Sequence, residues 1–174
     1  MNLVPALRAE FVRYKTLAEK AIAQLDDGQL SAAPPGGGNS IAVICWHISG
    51  NLRSRFTDFL TSDGEKPWRQ RDEEFEARAV TRAELLEKWE QGWSVLLATL
   101  ASLADADLER RVTIRGESLS VTEALLRALA HVASHVGQIV YAAKAMKGEE
   151  WTTLSIPKRA AAGRAPAVSP ESSG

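Results

Sequence analysis

A chain of 174 residues, 45% hydrophobic and 25% charged, is long enough to bury one core and has the composition of a globular domain. Its 21 basic and 22 acidic residues leave a net charge of −1, so nothing attracts a polyanion and nucleic acid is excluded as the expected partner. The single cysteine, Cys45, excludes an internal disulfide framework; no apolar signal segment or membrane span is visible, and a cytoplasmic location is expected.

Leu3 to Leu25 reads as the first helix, with Leu3, Leu7, Phe11, Tyr14, Leu17, Ala21 and Leu25 at helical spacing. The cluster Asp26-Asp27-Gly28 is expected to stop it. Ser31 to Gly38 is a loop by composition; it lacks the Lys-Ser/Thr of a phosphate-binding loop and reads as a spacer.

Asn39 or Ser40 caps a second helix that is expected to reach Leu60. Ile41, Ile44, Ile48, Leu52, Phe56 and Phe59 form its apolar face. His47 falls outside that face, on a polar stripe with Asn51, Ser54 and Asp58, where a ligand bordering a cleft would stand. Cys45 falls on the apolar side, as a small buried hydrophobe does. Thr61 to Val80 then exceeds the roughly 2–8 residues usual between helices. Long ordered loops are often functional, and Trp68 and Phe75 are expected to pin this one back on the helices.

Thr81 and Glu84 form a capping box for a third helix, whose apolar face carries Leu85, Trp89, Trp93, Leu96 and Leu100. Gly92 inside it marks close helix packing. Asp105 to Leu108 reads as a short helical turn, and Val112, Ile114 and Leu119 around Gly116 as a small hairpin. Ser120 and Glu123 form a second capping box, opening a fourth helix from Val121 to Lys147 that Gly148 ends. That helix is apolar over most of its circumference, so it is either central or also part of a homodimer interface. Trp151, Leu154 and Ile156 are able to dock, and the Ala-, Gly-, Pro- and Ser-rich segment 159–174 reads as a flexible tail. The expected fold class is all-α: residues 1–158 form an up-down four-helix bundle with a long crossover loop and a small hairpin before the last helix.

The fourth helix carries the chemistry. His131 and His135 are spaced i, i+4, and Gln138 lies on the same stripe among Ala124 and Ala142. Two imidazoles so spaced converge on one ion, and His47 supplies a third. Catalytic zinc commonly takes three protein ligands and leaves the next position to water or substrate. The pair alone is a weak signal, because it lacks the intervening Glu of a metalloprotease, and two histidines satisfied in a core or facing water fit the same spacing.

The segments Trp46 to Leu60, Asp63 to Phe75, His131 to Ile139 and Trp151 to Lys158 resemble the DinB/YfiT-like superfamily, in particular a small bacterial branch of unknown function. The resemblance implies a metal-binding four-helix bundle with ligands at His47, His131 and His135. It also brings in thiol-dependent transferases and isomerases that work with mycothiol or bacillithiol. In that family the Leu-Ser-Ile-Pro segment is followed by a basic residue and Gly, whereas here Lys158-Arg159-Ala160 follows. Imidazoles suit zinc or nickel, and Asn51 and Gln138 are candidates for orienting ligands or substrate. Two functions are expected to compete. One is a metal-dependent transferase or hydrolase acting on a small molecule, with a low-molecular-weight thiol as co-substrate; the other is a non-catalytic metal-binding stress-response or scaffold protein. In a third reading the histidines serve only as polar residues of a binding pocket.

Overall fold

Side-chain caps set where the helices begin. In the computed structural model, which describes residues 2–156, five helices and one two-stranded hairpin follow in chain order. Helix α1 (Leu3–Ile22) has no cap from its own Asn2; instead the Asp105 carboxylate accepts the N–H groups of Leu3 and Val4, both at 2.9 Å. Asp26 and Gln29 form a capping box that starts the short α2 (Asp27–Ser31). Helix α3 (Ile41–Phe56) begins on the Ser40 hydroxyl, α4 (Arg82–Ser102) on the Thr81–Glu84 box and α5 (Val121–Lys147) on the Ser120–Glu123 box. Strands β1 (Arg111–Ile114) and β2 (Glu117–Ser120) pair antiparallel between α4 and α5 in sequence, with Ile114 opposite Glu117.

Helices α1 and α3 each pack on both α4 and α5. Phe11, Trp89 and Trp93 are fully buried where these faces meet, with Trp93 edge-on to Phe11 at 6.5 Å and 5.3 Å from Trp89. Gly92 permits the α3–α4 approach: a Cβ there would come within 2.6 Å of the Ser49 Cα. The Ser49 hydroxyl, buried in the same contact, donates to the Lys88 carbonyl at 2.6 Å.

Several expectations need correction. The Asp26-Asp27-Gly28 cluster does more than stop a helix; α1 already ends at Ile22, and Asp26 starts a new turn because its carboxylate can accept the Gln29 N–H. Ser31 therefore closes α2 and does not open the loop. Helix α3 stops at Phe56 and falls short of Leu60, since Thr57 is extended and Asp58 adopts a left-handed φ of 49°. Of the polar stripe of α3, Ser54 faces protein: it is fully buried and donates to the Gly64 carbonyl of the crossover segment at 2.6 Å. Trp68 does not anchor that segment. It stays 47% exposed with the Arg53 guanidinium over its ring, while Lys66 and Glu74 are the buried residues there.

Trp151 and Leu154 pack partly against the core, whereas Ile156 is 93% exposed and does not dock. The expected flexible tail, 159–174, and the Pro157-Lys158 pair before it lie outside the described residues. Among the described residues no helix is long and apolar enough to cross a membrane.

Candidate metal centre

His131 and His135 project from adjacent turns of α5, their ring centroids 4.6 Å apart. Packing of α3 against α5 brings His47 to the same place, with centroids 5.1 Å from His131 and 4.9 Å from His135. Each histidine offers a ring nitrogen, and the three nitrogens lie within 4.8 Å of one another. The Nε2 atoms of His47 and His131 are 3.1 Å apart. Tetrahedral zinc with nitrogens at about 2.0–2.1 Å needs its ligands roughly 3.3 Å apart, a separation that the His47–His131 pair already approaches. The three histidines are close enough to bind a metal ion.

The hydrogen bonds of the other ring nitrogens favour that use. His47 Nδ1–H donates to Glu74 Oε2 at 2.9 Å, and His135 Nδ1–H donates to Gln138 Oε1 at 2.9 Å. In each neutral ring the proton is thereby held on Nδ1, which leaves the lone pair on Nε2; that of His47 meets His131 Nε2 at hydrogen-bond distance. His131 Nδ1 is buried and has no hydrogen-bond partner among the described residues.

Glu74 stands in a 3-10 turn, Asp72–Phe75, of the crossover segment. Arg69 grips its carboxylate with two parallel bonds, Nε to Oε1 and Nη2 to Oε2, both 2.8 Å. Phe75 covers the other side of the His47 ring at 4.7 Å. Gly50, one turn after His47 on α3, leaves the space the carboxylate fills; a Cβ there would overlap it. Glu74 and Arg69 are thus the partners that sequence reasoning missed. No periodicity runs through an irregular segment, and among so many charged residues only its unusual length marked it.

Electrostatics favour the neutral form of the two rings on α5. Burial, then the neighbouring His135 and His47, bring His131 down to about 4. Burial also lowers His135, against the opposing hydrogen bond from Gln138. For Glu74, burial pushes upward, but the hydrogen bonds from Arg69 and His47 outweigh it and hold the carboxyl below the ordinary glutamate value. It stays a carboxylate and supports the imidazole beside it.

A cavity of about 210 Å³ opens beside the centre and reaches His47 and His131. Asn51 lines it, as do Phe56, Phe59 and Ile114. Gln138 instead meets His135 on an exposed part of α5. Cys45 is fully buried in the core and away from the centre, and burial pushes its thiol well above the ordinary value.

Residues 1–160 match the family described as proteins of unknown function, DUF1572, and the chain belongs to that family. No curated protein matches the chain.

Proposed function

We propose that this DUF1572 member is a divalent-metal-binding protein of the DinB/YfiT-like superfamily, an up-down four-helix bundle in which His47, His131 and His135 hold zinc or nickel. One observation carries the reading. Glu74 and Gln138 each take an Nδ1–H, so that His47 and His135 keep their Nε2 lone pairs for an ion next to His131.

Bound there, a divalent ion supplies Lewis acidity, making a small molecule that coordinates it more acidic. The reaction we read is group transfer or hydrolysis on a small molecule, with a low-molecular-weight thiol as external co-substrate. The chain's own residues support an external nucleophile: the Cys45 thiol is buried and held protonated, and among the described residues neither Ser nor Cys lines the cavity. Asn51, on the cavity wall with His47 and His131, would orient what enters; Gln138 would hold the His135 tautomer. The proposal includes a homodimer through α5, whose sequence is apolar over most of its circumference, and a cytoplasmic location.

Elemental analysis of untagged protein tests the centre. One ion per chain is expected, lost in each of His47→Ala, His131→Ala and His135→Ala with circular dichroism unchanged. Full metal content in His47→Ala overturns the three-histidine site. Cobalt substitution then tests the chemistry: a thiol at millimolar concentration should produce a sulfur-to-metal charge-transfer band. A flat response to bacillithiol, mycothiol and glutathione drops the thiol in favour of hydrolysis or of the non-catalytic scaffold.

A further inference from the structure

The cavity next to the histidines has a second chemical character. Five arginines line it: Arg55, Arg69, Arg71, Arg115 and Arg127. Among the described residues that line it there is no Asp or Glu. The carboxylates that pair with these arginines lie outside the lining, and they are fewer. Arg55 and Arg115 share Glu65, Arg127 pairs with Glu117, Arg71 with Asp72 and Arg69 with Glu74. Five guanidinium groups thus meet four carboxylates, and one of those four, Glu74, also serves His47.

Arg69 makes the case beyond charge counting. Its side chain is 2% exposed, two of its nitrogens are committed to Glu74, and its buried Nη1 has no partner among the described residues. A buried, unpaired N–H of a charged group is rare in folded proteins and calls for a ligand or ordered water. Arg115 adds an independent sign. It sits with Gly116 in the two-residue turn of the hairpin, at a φ of 55°, a conformation that Asn, Asp or Gly adopts far more readily. The Asp63 carboxylate holds this turn by accepting the N–H groups of Arg115 and Gly116 at 2.8 and 2.9 Å. A backbone cost is borne at the residue whose guanidinium reaches the cavity.

Apart from Asn51 and the two histidines, the remaining wall is apolar: Phe56 and Phe59, 5.1 Å apart, with Ile114, Ala124 and Ala128. The volume, about 210 Å³, is below the roughly 300–1,000 Å³ of sites for drug-sized ligands. We infer that this cavity binds a small organic acid, its carboxylate held by the arginines and its apolar part against Phe56, Phe59 and Ile114, with the far end at His47 and His131. Guanidinium forks match a carboxylate or a phosphate equally in shape, but the apolar wall has no use for an inorganic anion. That the acid is the substrate of the metal centre rests on the function proposed above; that it binds does not.

Calorimetric titration of the full, metal-free chain with benzoate, succinate and inorganic phosphate separates these claims. Saturable binding of a carboxylate at one site per chain is expected, with phosphate at least tenfold weaker and all binding weakened by added salt. In the double variant Arg71→Gln, Arg127→Gln the carboxylate should bind at least tenfold more weakly. Both side chains are half-exposed, so the thermal midpoint and the metal stoichiometry should be those of the parent. Phosphate binding as tightly as both carboxylates overturns the organic-acid assignment. No saturable binding with or without metal, or equal affinity in the double variant, overturns the site. If the acid binds but no metal does, this inference stands and the proposed metal centre fails; metal without acid gives the reverse.

Discussion

Phe11, Trp89 and Trp93 are buried as deeply as His47, Arg69 and Glu74, but for opposite reasons. The aromatic cluster gains from every square ångström removed from water and asks only for rough complementarity of shape. The polar cluster loses solvation on burial and recovers it through particular atoms: two parallel bonds from Arg69, one from His47, and the space left by Gly50. Area tolerates small displacements, whereas a charge pair does not. The first cluster therefore specifies how the helices stack, and the second specifies where one imidazole points.

The largest effects should show this contrast directly. Trp93→Ala should cost about 3–5 kcal/mol of stability in urea unfolding, the range for large-to-small core substitutions. Glu74→Ala should cost about 3–5 kcal/mol as well, because it strands the Arg69 guanidinium in the interior. The two should part company on metal. Folded Trp93→Ala should keep the parent's affinity, whereas Glu74→Ala should lose about 10–100-fold, the usual consequence of removing a carboxylate behind a ligating histidine. Equal affinities would mean that Glu74 is structural only.

The same contrast explains what could be read from the sequence. Trp89, Trp93, Leu96 and Leu100 announce a helix face because their spacing is local, and the caps at Ser40, Thr81 and Ser120 announce its start. His131 and His135 were legible for the same reason, being one helical turn apart. His47 needed tertiary packing to join them. Glu74 and Arg69 were illegible, since nothing in an irregular segment tells which of its charges turns inward. Trp68 misled for a related reason: an aromatic residue in a polar loop reads as an anchor, yet here a guanidinium covers it and the carboxylate five residues after Arg69 goes inside. Asp26 misled because the residues that stop one helix are those that cap the next.

Acid should separate the two clusters at smaller amplitude. In metal-free protein the folded His131 titrates near 4 against an ordinary 6.5, so the unfolded chain binds more protons in between. Stability should therefore fall as the pH drops from about 6.5 to about 4, by about 2 kcal/mol once solvent screening of this partly exposed ring is allowed for. Glu74, held below its ordinary 4.5, contributes stability above that value and loses it as the pH falls further, through its lowered folded value. Urea midpoints across pH should show the upper window shrink in His131→Gln and persist unchanged in Trp93→Ala. A slope that survives undiminished in His131→Gln would assign the proton uptake to another group, since His135 is lowered as well and should leave only a residual slope. Bound metal should delay the fall, because its ligands must stay neutral.

The smallest effect concerns Arg115, and it asks whether the polar side of the molecule carries strain for a purpose. The left-handed conformation costs a residue with a Cβ about 1–2 kcal/mol, and Asn tolerates it better than Arg. Replacing Arg115 by Asn also removes a half-exposed ion pair with Glu65, worth about 0–1 kcal/mol. The Asp63 bonds go to backbone N–H groups and should survive. The balance favours a gain of about 0.5 kcal/mol in stability for Arg115→Asn. If the arginine is there for an anion, carboxylate binding should weaken in the same variant. A gain in stability with weaker binding shows strain retained for a ligand. Lower stability with unchanged binding shows an arginine kept for its ion pair to Glu65, and the left-handed turn would then need no functional reason.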